Sequence, residues 1–326
     1  MSRTARPLVS VAMAAYNADR FVEQALASLS AQTLPDLEVL VADDGSKDTT
    51  ATRVEAAARR DARIRLLRLR ENQGQATALN TAVAEARGEY LAFLDADDEA
   101  APTRLADQVA ALEREPDLLL VGGAVRTFRD GRPDEGTTWR YATQDPDIRV
   151  RNLFKSEFIS GAMTFRRRPL VAHGLRYDPR IRLGNDWDLS SRALRVGLAA
   201  NLPQVVLHYR LHGAQMTAGM MDDLTFDSAR IRREALSYAA LSPSDDELRT
   251  HLAISPCNYW PFGTHPFFIA RGPAIADDAR RWFERLRAGV ARRGRIPLPA
   301  LDTYLDEIAE AIDRCLATGA GGLISG

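Results

Sequence analysis

Two groups of aspartates in the first hundred residues are the side chains best suited to chemistry in this sequence. Asp43 and Asp44 form the first group, Asp95 and Asp97 the second, and each group directly follows a short apolar run. Carboxylates gathered at one edge of a sheet repel each other unless a positive charge lies between them. A divalent cation that carries a diphosphate would explain one group. The other group could accept a hydrogen bond from the N–H of a nucleobase.

The elements that must position these groups alternate between strand and helix. Apolar runs predict strands at residues 8–14, 37–42, 64–69 and 90–94. Apolar residues at helical spacing predict a helix after each strand, at 19–32, at a segment that ends near residue 60, at 75–86 and at 103–115. This alternation predicts an α/β fold with a mostly parallel, Rossmann-like sheet flanked by helices. In such sheets ligands bind outside the carboxyl ends of the strands, where both aspartate groups stand.

The pattern changes in the second half of the chain. It loosens through residues 129–147, and a strand at 158–165 and a helix at 186–196 are predicted after that stretch. From about residue 217 onward helices dominate, with apolar stripes of helical period. We therefore predict three regions: an α/β domain at 1–215, a helical C-terminal region at 216–318 and a flexible tail at 319–326.

Composition excludes several classes of protein. The 326 residues include 43 Lys and Arg against 44 Asp and Glu, so no basic surface for nucleic acid is expected. No apolar run approaches the roughly 18–20 residues of a membrane-spanning helix. Two distant cysteines are typical of a reducing compartment. We expect a cytoplasmic protein with at most peripheral contact with the inner face of the membrane.

Several segments together carry a specific resemblance. In chain order they are VSVAMAAYN (9–17), EVLVADDGSKDT (38–49), NQG (72–74), ALN (78–80), RGEYLAFLDADD (87–98), LGNDWDL (183–189) and HYRLH (208–212). This set resembles glycosyltransferase family 2, the inverting sugar transferases with a GT-A fold. The resemblance covers about residues 8–215 and does not include the last third of the chain.

The resemblance implies a nucleotide site on the first half of the sheet. Tyr16 would stack on the base and Asp44 would accept its N–H, which makes uridine the default nucleoside. Asp43 would either bind the nucleoside or fix the turn. The full set of implied nucleotide contacts is Ala15, Tyr16, Asn17, Asp43, Asp44, Asn72, Gly74, Asp95 and Ala96.

The resemblance also implies a metal cofactor, Mn²⁺ or Mg²⁺. Asp97 is expected to bind it directly, while Asp95 contacts the ribose or a metal-bound water. His212 would reach the diphosphate or the same metal; the alternative is a solvated loop histidine. Zinc held by His208 and His212 is disfavoured, because the preceding residues read as a strand and further ligands are missing. Asp98 would cap the next segment.

Asp186 is the predicted general base. An inverting transfer is one in-line displacement, so one carboxylate near the acceptor hydroxyl suffices. The alternative role for Asp186, capping the following helix, is compatible with catalysis. Its neighbour Trp187 would form a stacking wall for an acceptor sugar or would simply pack.

The sequence departs from the family pattern at two positions. Leu79 stands where the family often has a basic residue, so a donor contact would be missing or supplied by another residue. Asn185 stands where the family has an acid before the catalytic Asp, which makes the local field on Asp186 less negative and favours its ionised form.

The resemblance thus implies a metal-dependent inverting glycosyltransferase. Its partners would be a nucleoside-diphosphate sugar and a glycan or lipid-linked acceptor, in polysaccharide, glycolipid or other glycan biosynthesis. An aromatic-rich stretch at 258–268 would pack the helical region, line the acceptor or touch a membrane. Three other readings stay open: a haloacid-dehalogenase phosphatase, a sugar nucleotidyltransferase, and a transferase fold that has lost its chemistry and binds nucleotide only.

Overall fold

The chain forms two compact units in the computed structural model, which describes residues 6–213, 221–255 and 263–318, with no side chains for 221–226. The first unit comprises Met1–Thr143 and Phe158–Met220, and the second comprises Gln144–Glu157 and Met221–Gly326. The chain therefore leaves the first unit at residue 144 and returns to it at residue 158. One domain up to residue 215 is the prediction from sequence, and the excursion at residues 144–157 departs from it.

A single sheet runs through the first unit. Its strands are β1 Val9–Ala15, β2 Leu37–Asp43, β3 Ile64–Arg68, β4 Tyr90–Phe93, β5 Glu99–Ala100, β6 Leu118–Arg129, β7 Thr138–Trp139, β8 Thr164–Arg166 and β9 Leu198–Leu211. They lie in the order β3-β2-β1-β4-β8-β6-β9-β5, and β7 pairs with β6. Strands β1 to β4 are parallel to one another, whereas β8 is antiparallel to its neighbours β4 and β6. The predicted α/β fold with a mostly parallel sheet is confirmed.

The parallel half of the sheet is buried because helices cover it. These helices are α1 Val22–Ser30, α2 Thr50–Arg60, α3 Gln75–Glu85 and α4 Arg104–Arg114. Every residue of β2 and β4 is buried, which explains why both strands are mainly apolar in sequence. The predicted bounds of these strands and helices agree with the structure to within a few residues.

The register of the strands brings the two aspartate groups to one edge. Ala15, the last residue of β1, is the partner of Asp43, the last residue of β2. On the other side of β1, Ala12 pairs with Phe93 at the end of β4. The segments that follow β1, β2 and β4 therefore emerge side by side, at the carboxyl ends of parallel strands.

Around residue 160 the first unit differs from the predicted elements. The predicted strand at 158–165 is largely a 3₁₀ turn, Ser160–Ala162, and only Thr164–Arg166 is a strand. At Gly161 the chain comes close to Asp95, since a Cβ added there would lie 3.4 Å from the Asp95 Oδ2 atom. Helices α6 Arg167–Ala172 and α7 Asn185–Ala193 follow.

The second unit is helical. Its elements are α5 Asp145–Arg151, α8 Met221–Tyr238, α9 Asp245–Ala253, α10 Pro266–Arg271, α11 Ala274–Arg293 and α12 Leu298–Thr318. The predicted apolar stripes form its core, in which Trp282 of α11 and Ile308 of α12 are buried. His251 of α9 lies in this core, where its Nε2 is 2.8 Å from the Leu153 carbonyl oxygen and its Nδ1 accepts a hydrogen bond from the Trp282 indole.

The aromatic-rich stretch and the two cysteines lie partly within the described residues of this unit. Of the aromatic-rich stretch, residues 258–262 lie outside the described residues, while Phe268 is 5% exposed and packs in the helical core. Cys315 is buried in the same core, and Cys257 lies outside the described residues. Among the helices that the structure describes, none is both long enough and apolar enough to cross a membrane.

Candidate active site

Asp44 joins three of the segments predicted to bind nucleotide. Its carboxylate accepts hydrogen bonds from the backbone N–H groups of Gln73 and Gly74, both at 2.8 Å. Its own N–H donates to the carbonyl of Ala15 at 2.8 Å. Each carboxylate oxygen has two acceptor sites, so Asp44 keeps capacity for a further donor such as a nucleobase N–H. The side chain is therefore a structural tie that keeps lone pairs for a further donor, although the residue is only 2% exposed in this structure.

The end of β1 is held by a second set of hydrogen bonds. Asn17 has a positive φ of 48°. Its Oδ1 accepts from the N–H of Lys47 at 2.9 Å, and its own N–H donates to the Ser46 hydroxyl at 3.0 Å. The adjacent Tyr16 is 46% exposed, unusual for an aromatic ring at the end of a buried strand. Its face is available for stacking on a planar group.

The turn after β2 requires a glycine. Gly45 has φ of +71°, and a Cβ there would lie 2.8 Å from backbone atoms of Glu71. In the same turn the Asp43 carboxylate accepts the N–H of Ser46 at 3.3 Å, and Asp43 is 4% exposed. Of the two roles considered for Asp43, the structure shows the turn contact. Asn72 also acts locally, because its Oδ1 accepts the N–H of Gly74 at 3.2 Å.

Asp95 lies in the most acidic part of the site. Burial raises its pKa to about 7, with further contributions from the negative charges of Asp97 and Asp186. The Gln75 side chain donates a hydrogen bond to the Asp95 carboxylate at 3.2 Å. Since Asp97 and Asp186 both act on Asp95, the structure brings together three predicted site residues that are far apart in sequence. Ala96, between the two aspartates, is buried.

Asp97 and His212 form a pair suited to a divalent cation. His212 Nε2 lies 2.9 Å from Asp97 Oδ2, and the imidazole packs against the Phe21 ring at a centroid distance of 4.6 Å. Within 6–213, 221–255 and 263–318, no group of three or more His, Cys, Asp or Glu side chains could hold a metal. Mg²⁺ commonly uses one or two protein ligands and completes its shell with phosphates and water. The pair therefore fits a cation that arrives with a nucleotide.

Asp98 is tied to β9 through Arg210, and this role differs from the predicted cap. The Arg210 N–H donates to Asp98 Oδ1 at 2.8 Å, and the Arg210 Nε donates to the carbonyl of Asp97 at 2.8 Å. Burial, together with the charges of Asp97 and Asp95, raises the pKa of Asp98 well above its usual range. The sequence analysis assigned no role to Arg210, although the HYRLH segment contains it.

Asp186 lies in the first turn of α7. Its carboxylate accepts the N–H of Trp187 at 2.8 Å and also a backbone N–H from Ser160. Burial raises the pKa of Asp186 above the ordinary range of a carboxyl, and the hydrogen bonds oppose that effect. Trp187 is only 6% exposed, so in this structure its ring packs inside and offers little surface to an acceptor.

Tyr177 supports this arrangement and was not found from sequence. Its hydroxyl lies 2.9 Å from the Ser160 hydroxyl, in the turn that donates to Asp186. The Asn80 side chain makes two hydrogen bonds with the Tyr177 backbone, at 2.9 and 3.0 Å. Leu79, which precedes Asn80, is 1% exposed and belongs to the interior of α3. No motif spacing links these residues, since the contacts span 17 and 97 positions.

Comparison with known proteins identifies the chain at this point. The model of the family described as Glycosyl transferase family 2 matches residues 10–175, about half of the sequence. This chain belongs to that family. The match contains the segments after β1, β2 and β4 that build the site, and the chain is accordingly a glycosyltransferase with a GT-A-like fold.

The relatives in this family include proteins of polysaccharide biosynthesis. The succinoglycan biosynthesis protein ExoO of Rhizobium meliloti is 33% identical over 248 residues, which cover 72% of this chain and 71% of that protein. An uncharacterized glycosyltransferase of Haemophilus influenzae is 28% identical over 239 residues, covering 71% of this chain and 74% of that protein.

Solved structures show the same fold at low sequence identity. TarS 1-349 of S. aureus in complex with UDP-GlcNAc is 18% identical and has a TM-score of 0.61, with 95% of this chain and 92% of that chain covered. The mannosyltransferase PcManGT from Pyrobaculum calidifontis, in complex with GDP-Man and Mn²⁺, is 21% identical with a TM-score of 0.54, covering 97% and 88%.

Proposed function

We propose that this glycosyltransferase is metal-dependent and inverting, and that it transfers a sugar from a nucleoside-diphosphate sugar to an acceptor hydroxyl. The observation that supports this most is that the turn at Ser160–Ala162 lies beside Asp95 and donates a backbone N–H to Asp186, so that the acids act on one another. A candidate base and candidate phosphate-side acids lie close enough for their charges to interact. A single displacement at the anomeric carbon needs this juxtaposition, because base, acceptor and leaving diphosphate must meet at one centre.

The donor nucleoside would bind where β1 and β2 end. Tyr16 offers an exposed ring for stacking, and Asp44 keeps acceptor capacity for a base N–H. UDP is the first candidate. The TarS structure with UDP-GlcNAc and the PcManGT structure with GDP-Man show that proteins of this fold bind different bases, so GDP is the second candidate.

Asp186 would act as the general base. Its ionised carboxylate takes the proton of the acceptor hydroxyl while the acceptor oxygen forms a bond to the anomeric carbon. The bond from that carbon to the diphosphate oxygen breaks in the same step, and the diphosphate leaves with the electron pair. The raised pKa of Asp186 makes the carboxylate a stronger base than an ordinary aspartate.

Asp97 and His212 would hold the cofactor, Mn²⁺ or Mg²⁺. When bound, the cation supplies Lewis-acid stabilisation of the charge that develops on the leaving diphosphate. Positive charge beside Asp95 would also lower the raised pKa of that carboxyl, because an opposite charge favours the ionised form. Asp95 would then be an acceptor for the ribose or for a metal-bound water.

The remaining assignments complete the proposal. The acceptor would be a glycan or a lipid-linked glycan, as suits the relatives in polysaccharide biosynthesis. The protein would act in the cytoplasm, at the inner face of the membrane where its acceptor is lipid-linked. The α/β region up to about residue 215 would carry donor binding and chemistry, with the helical region as a separate part.

Calorimetric titration of UDP tests the donor and the metal together. We expect binding in the presence of Mn²⁺ and a loss of at least tenfold in affinity with EDTA. Asp97→Ala should bind UDP equally with and without Mn²⁺, whereas the matched surface variant Asp117→Ala should behave as the wild type. Equal affinity of the wild type in Mn²⁺ and EDTA would contradict metal dependence. If GDP binds and UDP does not, only the identity of the donor nucleobase would need correction.

A further inference from the structure

A cavity of about 630 Å³ opens beside the candidate metal pair. It is lined by residues that lead into α1 and by residues at the ends of β6 and β9, among them Arg20, Arg129, Asp130, Arg132 and His212. This volume lies within the range of small-molecule sites in proteins. All of these residues belong to the first unit.

His212 connects this cavity to the donor side. The residue lines the cavity, and its Nε2 lies 2.9 Å from Asp97 Oδ2. Asp95, Asp97 and Asp186 are not among the described residues of the cavity wall. The cavity is therefore a neighbour of the acidic site, and a molecule in it would be close to the leaving diphosphate without occupying the nucleotide position.

The charge of the wall selects the ligand. Three arginines face one aspartate, and the nearby carboxylates are shared: Asp130 contacts both Arg20 and Arg210, and Glu135 contacts both Arg129 and Arg132. Each guanidinium has five N–H donors, so a single shared carboxylate leaves most of them available.

The arginines are also accessible. The side chains of Arg20, Arg129 and Arg132 are 71%, 68% and 70% exposed. Ion pairs as exposed as these contribute about 1 kcal/mol or less, so an entering anion can take over the guanidinium groups at little cost. Arginine binds phosphate and carboxylate groups through paired N–H donors, which gives such a wall both affinity and orientation.

We propose that this cavity is an acceptor subsite that binds an anionic group, a phosphate or a carboxylate carried by the glycan or its carrier. This inference rests on the proposed function. The diphosphate of a bound sugar nucleotide has its own counter-ion in the divalent cation that Asp97 and His212 would hold. The arginines of the wall can therefore bind a second anion. Because the acceptor is the other substrate of the reaction, we expect the acceptor to carry that anion.

Two probes and one pair of variants test the subsite. Inorganic phosphate and glucuronate are titrated into the protein saturated with UDP and Mg²⁺, and again into the protein alone. The test variant carries Arg129→Ala and Arg132→Ala. The matched control carries Arg59→Ala and Arg60→Ala, which remove the same charge from the exposed end of α2.

We expect at least one probe to bind the UDP-saturated protein, with affinity about tenfold weaker in the test variant and unchanged in the control. If only the affinity for phosphate depends on the two arginines, the result supports a phosphate-bearing acceptor. If only the affinity for glucuronate depends on them, the result supports an acceptor that contains a uronic acid. Equal binding in both variants would overturn the subsite. Loss of probe binding when UDP is added, together with weaker UDP binding by the test variant, would assign the arginines to the donor diphosphate and also overturn it.

The two proposals fail separately. If UDP does not bind the wild type, the donor assignment fails, and the titrations of the protein alone still report whether Arg129 and Arg132 bind an anion. If UDP binds with metal but neither probe depends on the arginines, the donor assignment stands and the acceptor subsite is excluded.

Discussion

At the scale of single residues, Asp186 combines two requirements of a general base. Burial raises its pKa, which strengthens it as a proton acceptor, while the N–H groups of Trp187 and Ser160 stabilise the ionised form. Burial by itself favours the protonated carboxyl, and the two N–H groups counter it by favouring the ionised form that a base needs.

Asp186→Asn tests this role with almost no change in shape. The amide cannot accept the proton, so sugar transfer should fall by about 10²–10⁴-fold. UDP affinity in the presence of Mn²⁺ should stay within twofold, because the role proposed for this side chain is toward the acceptor. Asp117→Asn, an exposed substitution of the same kind, is the control. Full transfer activity of Asp186→Asn would assign the base to another residue.

Residue-scale chemistry also fixes the direction of the pH dependence. The pKa of Asp186 is raised in the folded protein, and the base acts only when ionised, so kcat/KM should rise with pH through a pKa above the usual 3.8 of aspartate. In the absence of a cation the pKa of Asp95 is raised to about 7, so protonation of this carboxyl should weaken the binding of free Mn²⁺ as the pH falls below neutral, which titration of Mn²⁺ at several pH values measures.

At the scale of elements, the site depends on short turns that hold strand ends together. The turn after β2 has no room for a side chain at Gly45, because the backbone of Glu71 lies against it. The 3₁₀ turn at Ser160–Ala162 plays a similar role between β4 and α7, since it lies beside Asp95 and donates to Asp186. Both turns thereby position acids of the candidate site.

Gly45→Ala should damage the nucleotide site through its backbone. A positive φ alone costs about 1 kcal/mol for alanine, and the clash with Glu71 adds displacement of the segment that Asp44 binds. Gly174→Ala is the matched control, because Gly174 also has a positive φ of 62° but nothing within 4 Å. We expect comparable small losses of stability from the φ strain, with UDP affinity reduced at least tenfold only in Gly45→Ala. Equal UDP affinity in the two variants would refute this reading of the turn.

Tyr177→Phe tests the second turn. The ring remains, so packing is kept, but the hydroxyl that contacts Ser160 is lost. Loss of one buried hydrogen bond costs about 1 kcal/mol, and misplacing Asp186 should lower kcat by about tenfold with little change in KM for the donor. Val54→Ala, a buried core change in α2, is a control for stability loss alone. If Tyr177→Phe lowers kcat no more than a control variant with the same loss of stability, Tyr177 has only a packing role.

At the scale of the whole molecule, sequence patterns predict the first half of the chain better than the second. The strands β1, β2 and β4 are buried along almost their whole length and are therefore mainly apolar in sequence. Strand β9 has mixed exposure and contains Pro203, so no simple period identifies its full length. Residues 144–157 join the helical unit through contacts of Val150 and Phe154 with distant helices, which a local pattern does not contain.

Some residues of the candidate site can be found from sequence motifs, and others can be found only from the fold. Asp44, Asp95, Asp97 and Asp186 stand in motifs that a sequence displays directly. Gln75, Ser160 and Tyr177 act through contacts between segments, and nothing in their own neighbourhood of sequence distinguishes them. Positioning residues of this kind become visible only when the fold has brought the segments together.

The helical unit has its own titratable centre, His251. Burial lowers the pKa of this histidine from 6.5 to about 3, helped by the charge of Arg232, and the neutral ring is held by the Trp282 indole and the Leu153 carbonyl. The unfolded chain therefore binds a proton between about pH 6.5 and 3 that the folded chain does not. Stability must fall as the pH falls through this window.

We expect the free energy of unfolding to drop by roughly 3 kcal/mol between pH 7 and pH 4 from His251 alone. His251→Gln should be less stable at pH 7, since it repacks a buried polar centre, but its stability should fall less steeply with acid. Urea unfolding followed by tryptophan fluorescence measures both slopes, because the Trp282 indole donates to His251 directly. Subtracting the two curves cancels the carboxylates that titrate in both proteins. Parallel curves would mean that His251 is protonated equally in the folded and unfolded chains, and that its burial does not govern the acid stability of this unit.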